Sequence, residues 1–114
     1  MVNGDDIVSK ALEYVGKVPY KFKKADPNEG FDCSGFVVFI YKQVAGIDLP
    51  HYTGDLITRG YEVSRKDLQK GDLVFPHSGH VSIYIGNNEV VHADEGIKVG
   101  TKKITKFYTA RRIL

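Results

Sequence analysis

Cysteine is nearly missing from this chain of 114 residues: Cys33 stands alone. A lone thiol has no partner within the chain, so no intrachain disulfide framework holds the fold. Its compartment stays open, because exported bacterial enzymes also fold without disulfides. Net charge is nearly missing too. Sixteen Lys and Arg against fourteen Asp and Glu leave +2, too little to point to nucleic acid and compatible with an anionic substrate or surface. No apolar stretch approaches the roughly 20 residues of a membrane span. The start, Met1-Val2-Asn3-Gly4-Asp5-Asp6, lacks the basic region and apolar core of a signal peptide. The expectation is a chain whose leader has been removed, or one delivered without a leader. Internal repeats, linkers and low-complexity segments are also absent. One domain over residues 1–114 is expected, long enough to bury a sizeable core.

What is present is a change of period along the chain. Asp5 or Asp6 can cap a first helix, in which Ile7, Val8, Ala11, Leu12 and Val15 recur at helical spacing. Gly16 and Pro19 end it. Residues 17–31 read as a loop with Pro19, Pro27 and Gly30. A second helix is expected from Cys33 to Ala45. Phe36, Val37, Val38, Phe39, Ile40, Tyr41 and Val44 cover most of its circumference, the mark of a central, buried helix. The run has strand propensity, but its length and the stop at Gly46 favour helix. Thr53 or Asp55 can cap a short third helix ending near Gly60. After the turn Leu68-Gln69-Lys70-Gly71-Asp72 the pattern becomes β, at 73–75, 80–85, 89–93, 97–99 and 108–113. Helices first and strands later imply an α+β domain with an antiparallel sheet.

The chemistry centres on Cys33 in Asp32-Cys33-Ser34-Gly35. At a helix start, free N–H groups and the positive end of the dipole stabilise a thiolate, and a nearby imidazole activates it further. A thiolate near neutral pH is therefore expected. Along His80-Val81-Ser82-Ile83-Tyr84-Ile85, one strand face carries His80, Ser82 and Tyr84 and the other three aliphatics. If Gly86-Asn87-Asn88 forms a three-residue loop, Ile85 faces Glu89 and Ser82 faces His92. His92 then shares the face of His80, diagonally across the ladder. In that register His80 takes the thiol proton and His92 holds the His80 ring in the useful tautomer. A two-residue loop puts His92 on the opposite face instead.

Each residue also has a bland reading. A lone Cys is commonly a small buried hydrophobe, and a His a packing or surface residue. Gly35 can merely admit a neighbouring backbone. His51 and His77 sit in loops and are not assigned. Four His and one Cys show no ligand-like close spacing beyond His77 and His80, so no metal site and no cofactor are expected.

The combination is more specific. Phe31-Asp32-Cys33-Ser34-Gly35-Phe36-Val37 resembles the signature of the NlpC family, papain-like cysteine peptidases that cut bacterial cell-wall peptides. Gly46 with Leu49-Pro50, Lys70-Gly71-Asp72-Leu73-Val74-Phe75, His80-Val81-Ser82-Ile83-Tyr84-Ile85-Gly86 and Val91-His92-Ala93 resemble it too. Ala110-Arg111-Arg112-Ile113 is similar to the family's final strand. These motifs follow family order over almost the whole chain. The resemblance implies a papain-like fold, Cys33 as nucleophile, His80 as base and His92 as the orienting third residue. It implies Tyr20 near the thiol and oxyanion, and Asp32 and Ser34 as substrate-binding residues that meet a free amino end. The implied substrate is the stem peptide of peptidoglycan, cut between γ-D-glutamate and a diamino acid by a monomer. The implied place is the bacterial envelope or its exterior, with delivery as an effector or phage lysin as the alternative.

Two departures stand out. After Tyr20 the family shows an aromatic and two glycines, whereas here Phe22 precedes Lys23 and Lys24. His51 follows Leu49-Pro50 where an arginine is common. Lys21, Lys23 and Lys24 read most simply as a solvated loop face. A related thiol amidase with another cut site, or a silent wall-binding module, would share the motifs. A silent module is expected to lose one of Cys33, His80 and His92, and all are present. Lipid acyltransferases of similar core place their His before the Cys, the reverse of this order.

Overall fold

Asn3 starts the first helix, and it does so through backbone groups that otherwise have no partner. The computed structural model covers residues 1–114, and its helix α1 spans Gly4–Leu12. Asn3 Oδ1 accepts from the Asp6 N–H, and the Asp6 carboxylate accepts from the Asn3 N–H. This reciprocal capping box makes Asp6 the third helical residue. Neither Asp5 nor Asp6 is the cap that the sequence suggests. Ile7, Val8 and Ala11 are buried. The helix stops at Leu12, so Leu12 and Val15 fall off the buried face and are 41% and 36% exposed.

The segment read as a loop contains a small antiparallel pair, β1 (Ala25–Asp26) and β2 (Gly30–Phe31). Helix α2 (Cys33–Ala45) follows at once and ends at Gly46, whose φ of 67° is the left-handed cap that glycine adopts freely. Phe36, Val37, Ile40 and Tyr41 are fully buried, which makes α2 the central helix that its sequence implies. The short α3 (Thr53–Leu56) begins after Tyr52, and neither Thr53 nor Asp55 caps it.

Six strands complete the chain: β3 (Tyr61–Glu62), β4 (Leu73–His77), β5 (His80–Gly86), β6 (Glu89–His92), β7 (Gly100–Lys103) and β8 (Thr109–Arg112). They form one antiparallel sheet in the order β3-β8-β4-β5-β6-β7. Leu73, Phe75, Val81, Ile83 and Val91 join α1 and α2 in the main core. Each such side chain contributes about 1.5–3 kcal/mol when fully buried. Val74, Val90 and Ala110 point the other way, into a small cluster with Val63 and Ile104.

Two irregularities set the functional register. The β5–β6 loop has two residues, not three: Asn87 and Asn88 have φ of 53° and 61°, as a type I′ hairpin requires, and Gly86 pairs with Glu89. That loop alone would turn His92 to the wrong face. A bulge between Tyr84 and Gly86 leaves Ile85 unpaired and restores the phase, so Ile83 faces Val91. His92 therefore keeps the side expected for it, by a different route. At the other end of β5, the β4–β5 register shifts between Val74 and His77. Pro76 lies there, and it has no N–H to give a ladder.

The strand expected at 97–99 lies three residues later. Val99 spends its backbone groups elsewhere: its N–H donates to Val18 O and its carbonyl accepts from Gly16. Pairing with β6 therefore starts at Gly100, opposite His92.

Candidate active site

Cys33 is the first residue of α2 and is half-buried. The backbone of Val81 and of Ser34 bears on its sulfur and favours the anion. The backbone of Tyr20 bridges to Phe31, two residues before the cysteine, and Tyr20 and Cys33 line the same cleft. A cleft of about 370 Å³ opens here, lined among others by Tyr20, Cys33, His80, His92, Asp94 and Lys102. His80 Nε2 lies 2.8 Å from His92 Nδ1, and the two rings meet edge to face at 81°. That bond leaves Nδ1 as the uncommitted nitrogen of His80. Ser82 shares this face but donates to the Val74 carbonyl. His77 also lines the cleft, yet its Nδ1 accepts from the Gly79 N–H in the turn.

Burial dominates the electrostatics. It pushes the Cys33 thiol up, opposed by the backbone of Val81 and Ser34, and Asp32 and Asp94 add to the rise. It pushes His80 down to about 4, with the His92 ring as the next cause and Asp94 opposing. His92 is lowered by burial as well, again opposed by Asp94. At rest near neutral pH the site therefore holds a thiol and two neutral imidazoles. This corrects the expectation of a thiolate: the helix start favours the anion, but desolvation of the sulfur is the larger effect. Burial and the neighbouring Cys33 raise Tyr20, which keeps its hydroxyl protonated and able to donate.

Asp32 and Ser34 sit behind the cleft, 7% and 5% exposed. Asp32 Oδ1 accepts from Gly35 N at 2.7 Å, from the Ser34 hydroxyl at 3.4 Å and from His51 Nε2 at 2.7 Å; Oδ2 accepts from Lys23 N at 2.8 Å. Asp32 thus caps α2 and ties the Lys23 loop to it. Gly35 is required for this approach, because a Cβ there would lie 2.0 Å from the Lys24 carbonyl oxygen. Lys23 keeps a left-handed backbone, φ 64°, at the place where the resembling family has glycine.

The structure thus gathers Cys33, His80, His92 and Tyr20 in the cleft and sets Asp32 and Ser34 behind it. Sequence reasoning missed His51 and Asp94. The signal for His51 was present: it occupies the site where the family carries another cation. Asp94 had only its nearness to His92. His80, His92 and Asp94 offer donor atoms within 4.8 Å of one another. An ion bound to both rings would have to part them, because ligands about 2.0–2.1 Å from a tetrahedral ion stand well over 3 Å apart.

A model of the NlpC/P60 family matches residues 16–114. The chain belongs to the NlpC/P60 family. It superposes on the crystal structure of the NlpC/p60 domain of the peptidoglycan hydrolase SagA with a TM-score of 0.91 and 34% identity, covering 98% of this chain and 100% of that one. This agrees with the α+β fold read from the sequence. Among curated relatives, Gamma-DL-glutamyl hydrolase of Bacillus subtilis is 48% identical over 88 residues, which is 75% of this chain and 21% of that protein. Murein DD-endopeptidase MepS/Murein LD-carboxypeptidase of Escherichia coli is 40% identical over 88 residues, 74% of this chain and 47% of that protein. The chain thus spans from about a fifth to about half the length of these relatives. None of its helices is long and apolar enough to cross a membrane.

Proposed function

We propose that residues 1–114 form one cysteine peptidase domain that hydrolyses the peptide stems of peptidoglycan by acyl transfer. The observation that carries this reading is the 2.8 Å His80–His92 bond in the cleft that Cys33 opens onto. For His80 Nδ1 to accept a proton, Nε2 must carry the hydrogen and donate it to His92 Nδ1. His92 thereby selects the tautomer and orients the ring. A base that is neutral down to about pH 4 is ready at neutral pH.

Sulfur then attacks the amide carbon as its proton passes to His80 Nδ1. The oxyanion is met by the Tyr20 hydroxyl and by the Cys33 N–H, which as the first helical donor has no partner within α2. The C–N bond breaks as His80 returns the proton to the leaving amine, leaving a thioester. Water, deprotonated by His80, releases the acid and restores the thiol.

The preferred bond is that between γ-D-glutamate and a diamino acid, in a stem with a free L-alanine amine. The name of the Bacillus subtilis relative, a glutamyl hydrolase, supports the acyl side. Asp32, Asp94 and Glu95 all bear on Tyr20, so that end of the cleft is negative and suits an ammonium group. A second reading keeps the thiol chemistry and changes the bond. The Escherichia coli relative is named for DD-endopeptidase and LD-carboxypeptidase activities. Either reading places the activity at the bacterial envelope or outside it.

Digestion of purified peptidoglycan, read by product masses, tests both. Release of L-alanyl-γ-D-glutamate from a stem peptide whose L-alanine amine is free supports the first reading, and cleavage of peptidoglycan next to D-alanine the second. New reducing sugar ends would overturn the peptidase reading. Cys33→Ala should abolish release while leaving the circular dichroism unchanged. Equal rates on free and N-acetylated tripeptide would remove the amine-binding role.

A further inference from the structure

The strands of the sheet step away from the thiol in order. Cys33 and His80 line one cleft; His80 stands on β5, His92 on β6 and Lys102 on β7. Neighbouring strands lie about 4.8 Å apart, so Lys102 is one strand beyond His92. Val90 and Lys102 are partners in the β6–β7 ladder, and partners share a face. Lys102 therefore rises on the face of Val90 and His92, and it lines the same cleft. The residue opposite His92 is Gly100, which puts no side chain between the imidazoles and Lys102.

The Lys102 ammonium has no carboxylate partner. The lysines in ion pairs are Lys10, Lys24, Lys42, Lys70 and Lys103. Lys103, its neighbour in sequence, is turned to Glu89 and the Asn87 carbonyl. The charge of Lys102 bears on His80 and His92 and disfavours their protonation. Left alone, it opposes the imidazolium formed when sulfur attacks. A bound anion would cancel that opposition.

The leaving amine takes its proton from His80, and the cleft that holds His80 also reaches His92 and Lys102, which gives the leaving half of a substrate room over β6 and β7. We propose that Lys102, flanked by Lys106, forms a subsite for a carboxylate on the residue whose amine departs. The site would select peptides whose leaving residue bears a free carboxylate; this rests on the peptidase reading above.

The test compares two L-Ala-γ-D-Glu-diamino acid tripeptides, one ending in a carboxylate and the other in a carboxamide. The intact enzyme should prefer the carboxylate about five-fold in kcat/KM, the size of a solvent-facing ion pair. The preference should shrink as salt is added. Lys102→Ala should remove it, Lys102→Arg keep it and Lys102→Glu reverse it. No preference in the parent enzyme, or one that survives Lys102→Ala, overturns the subsite. Calorimetry with Cys33→Ala protein reads the same subsite without hydrolysis. Tighter binding of the carboxylate form, lost in Cys33→Ala/Lys102→Ala, supports the subsite even if neither peptide is cut, in which case only the peptidase reading fails. Equal affinities overturn the subsite.

Discussion

Acid is the sharpest probe of His80. Its imidazole is pushed down to about 4, chiefly by burial and next by the His92 ring, with Asp94 pulling the other way. An imidazole of pKa 4 is about nine-tenths neutral near pH 5, whereas an ordinary one of 6.5 is about 3% neutral. The two cases differ roughly thirty-fold in competent base near pH 5. The measurement is kcat/KM from initial rates between about pH 4 and 8 at fixed ionic strength, because that ratio reports the free enzyme. Activity should fall to half only near pH 4. An acid limb centred near 6.5 would refute the buried, neutral base. Unfolding has to be followed in parallel, since the same shift is a stability effect. A folded pKa below the unfolded one favours the neutral form, so the stabilisation is complete above about 6.5 and is lost as pH falls through about 4. Its ceiling is about 3 kcal/mol, and less in practice because the ring is only partly buried and solvent screens part of the effect. A loss of circular dichroism that tracked the rates would assign the limb to unfolding.

Three further substitutions probe the supports of the site. His92→Ala should leave more residual kcat than His80→Ala, because an unoriented base still works part of the time; equal losses, or a greater one at His92, would exchange their roles. His51→Ala removes a 2.7 Å contact from buried Asp32 and should lower both the melting temperature and kcat, by about 1.5–3 kcal/mol of stability at most, with His51→Arg restoring much of each. Unchanged melting and turnover would show that Asp32 holds α2 without it. Lys23→Gly relieves a φ of 64° worth about 1–2 kcal/mol. After the entropy cost of glycine in the unfolded chain, a small rise in melting temperature is expected, and a fall would mean the lysine side chain contributes packing that its backbone strain conceals.

The sequence by itself determined the order of the three helices and of the main strands that follow them, the nucleophile helix, and the face of β5 that carries His80. These are local properties: a period and a stop residue act within a few positions of each other, so they are written in neighbouring residues. The side of the sheet taken by His92 was legible only conditionally. A two-residue Asn87-Asn88 turn and a bulge at Ile85 each shift the phase by one residue and cancel, and no local pattern says that both occur. The place of β7 was decided by Gly16 and Val18, which claim the backbone of Val99 from more than eighty residues away. The ionisation of Cys33 was decided in the same way. Its helix start argues for a thiolate, but the apolar surroundings that push the thiol up come from segments brought together only by folding. His51 meets Asp32 across 19 residues, and Lys102 reaches the cleft only because β7 pairs with β6. Desolvation and cross-strand pairing depend on what packs where, and that information exists only in the folded chain.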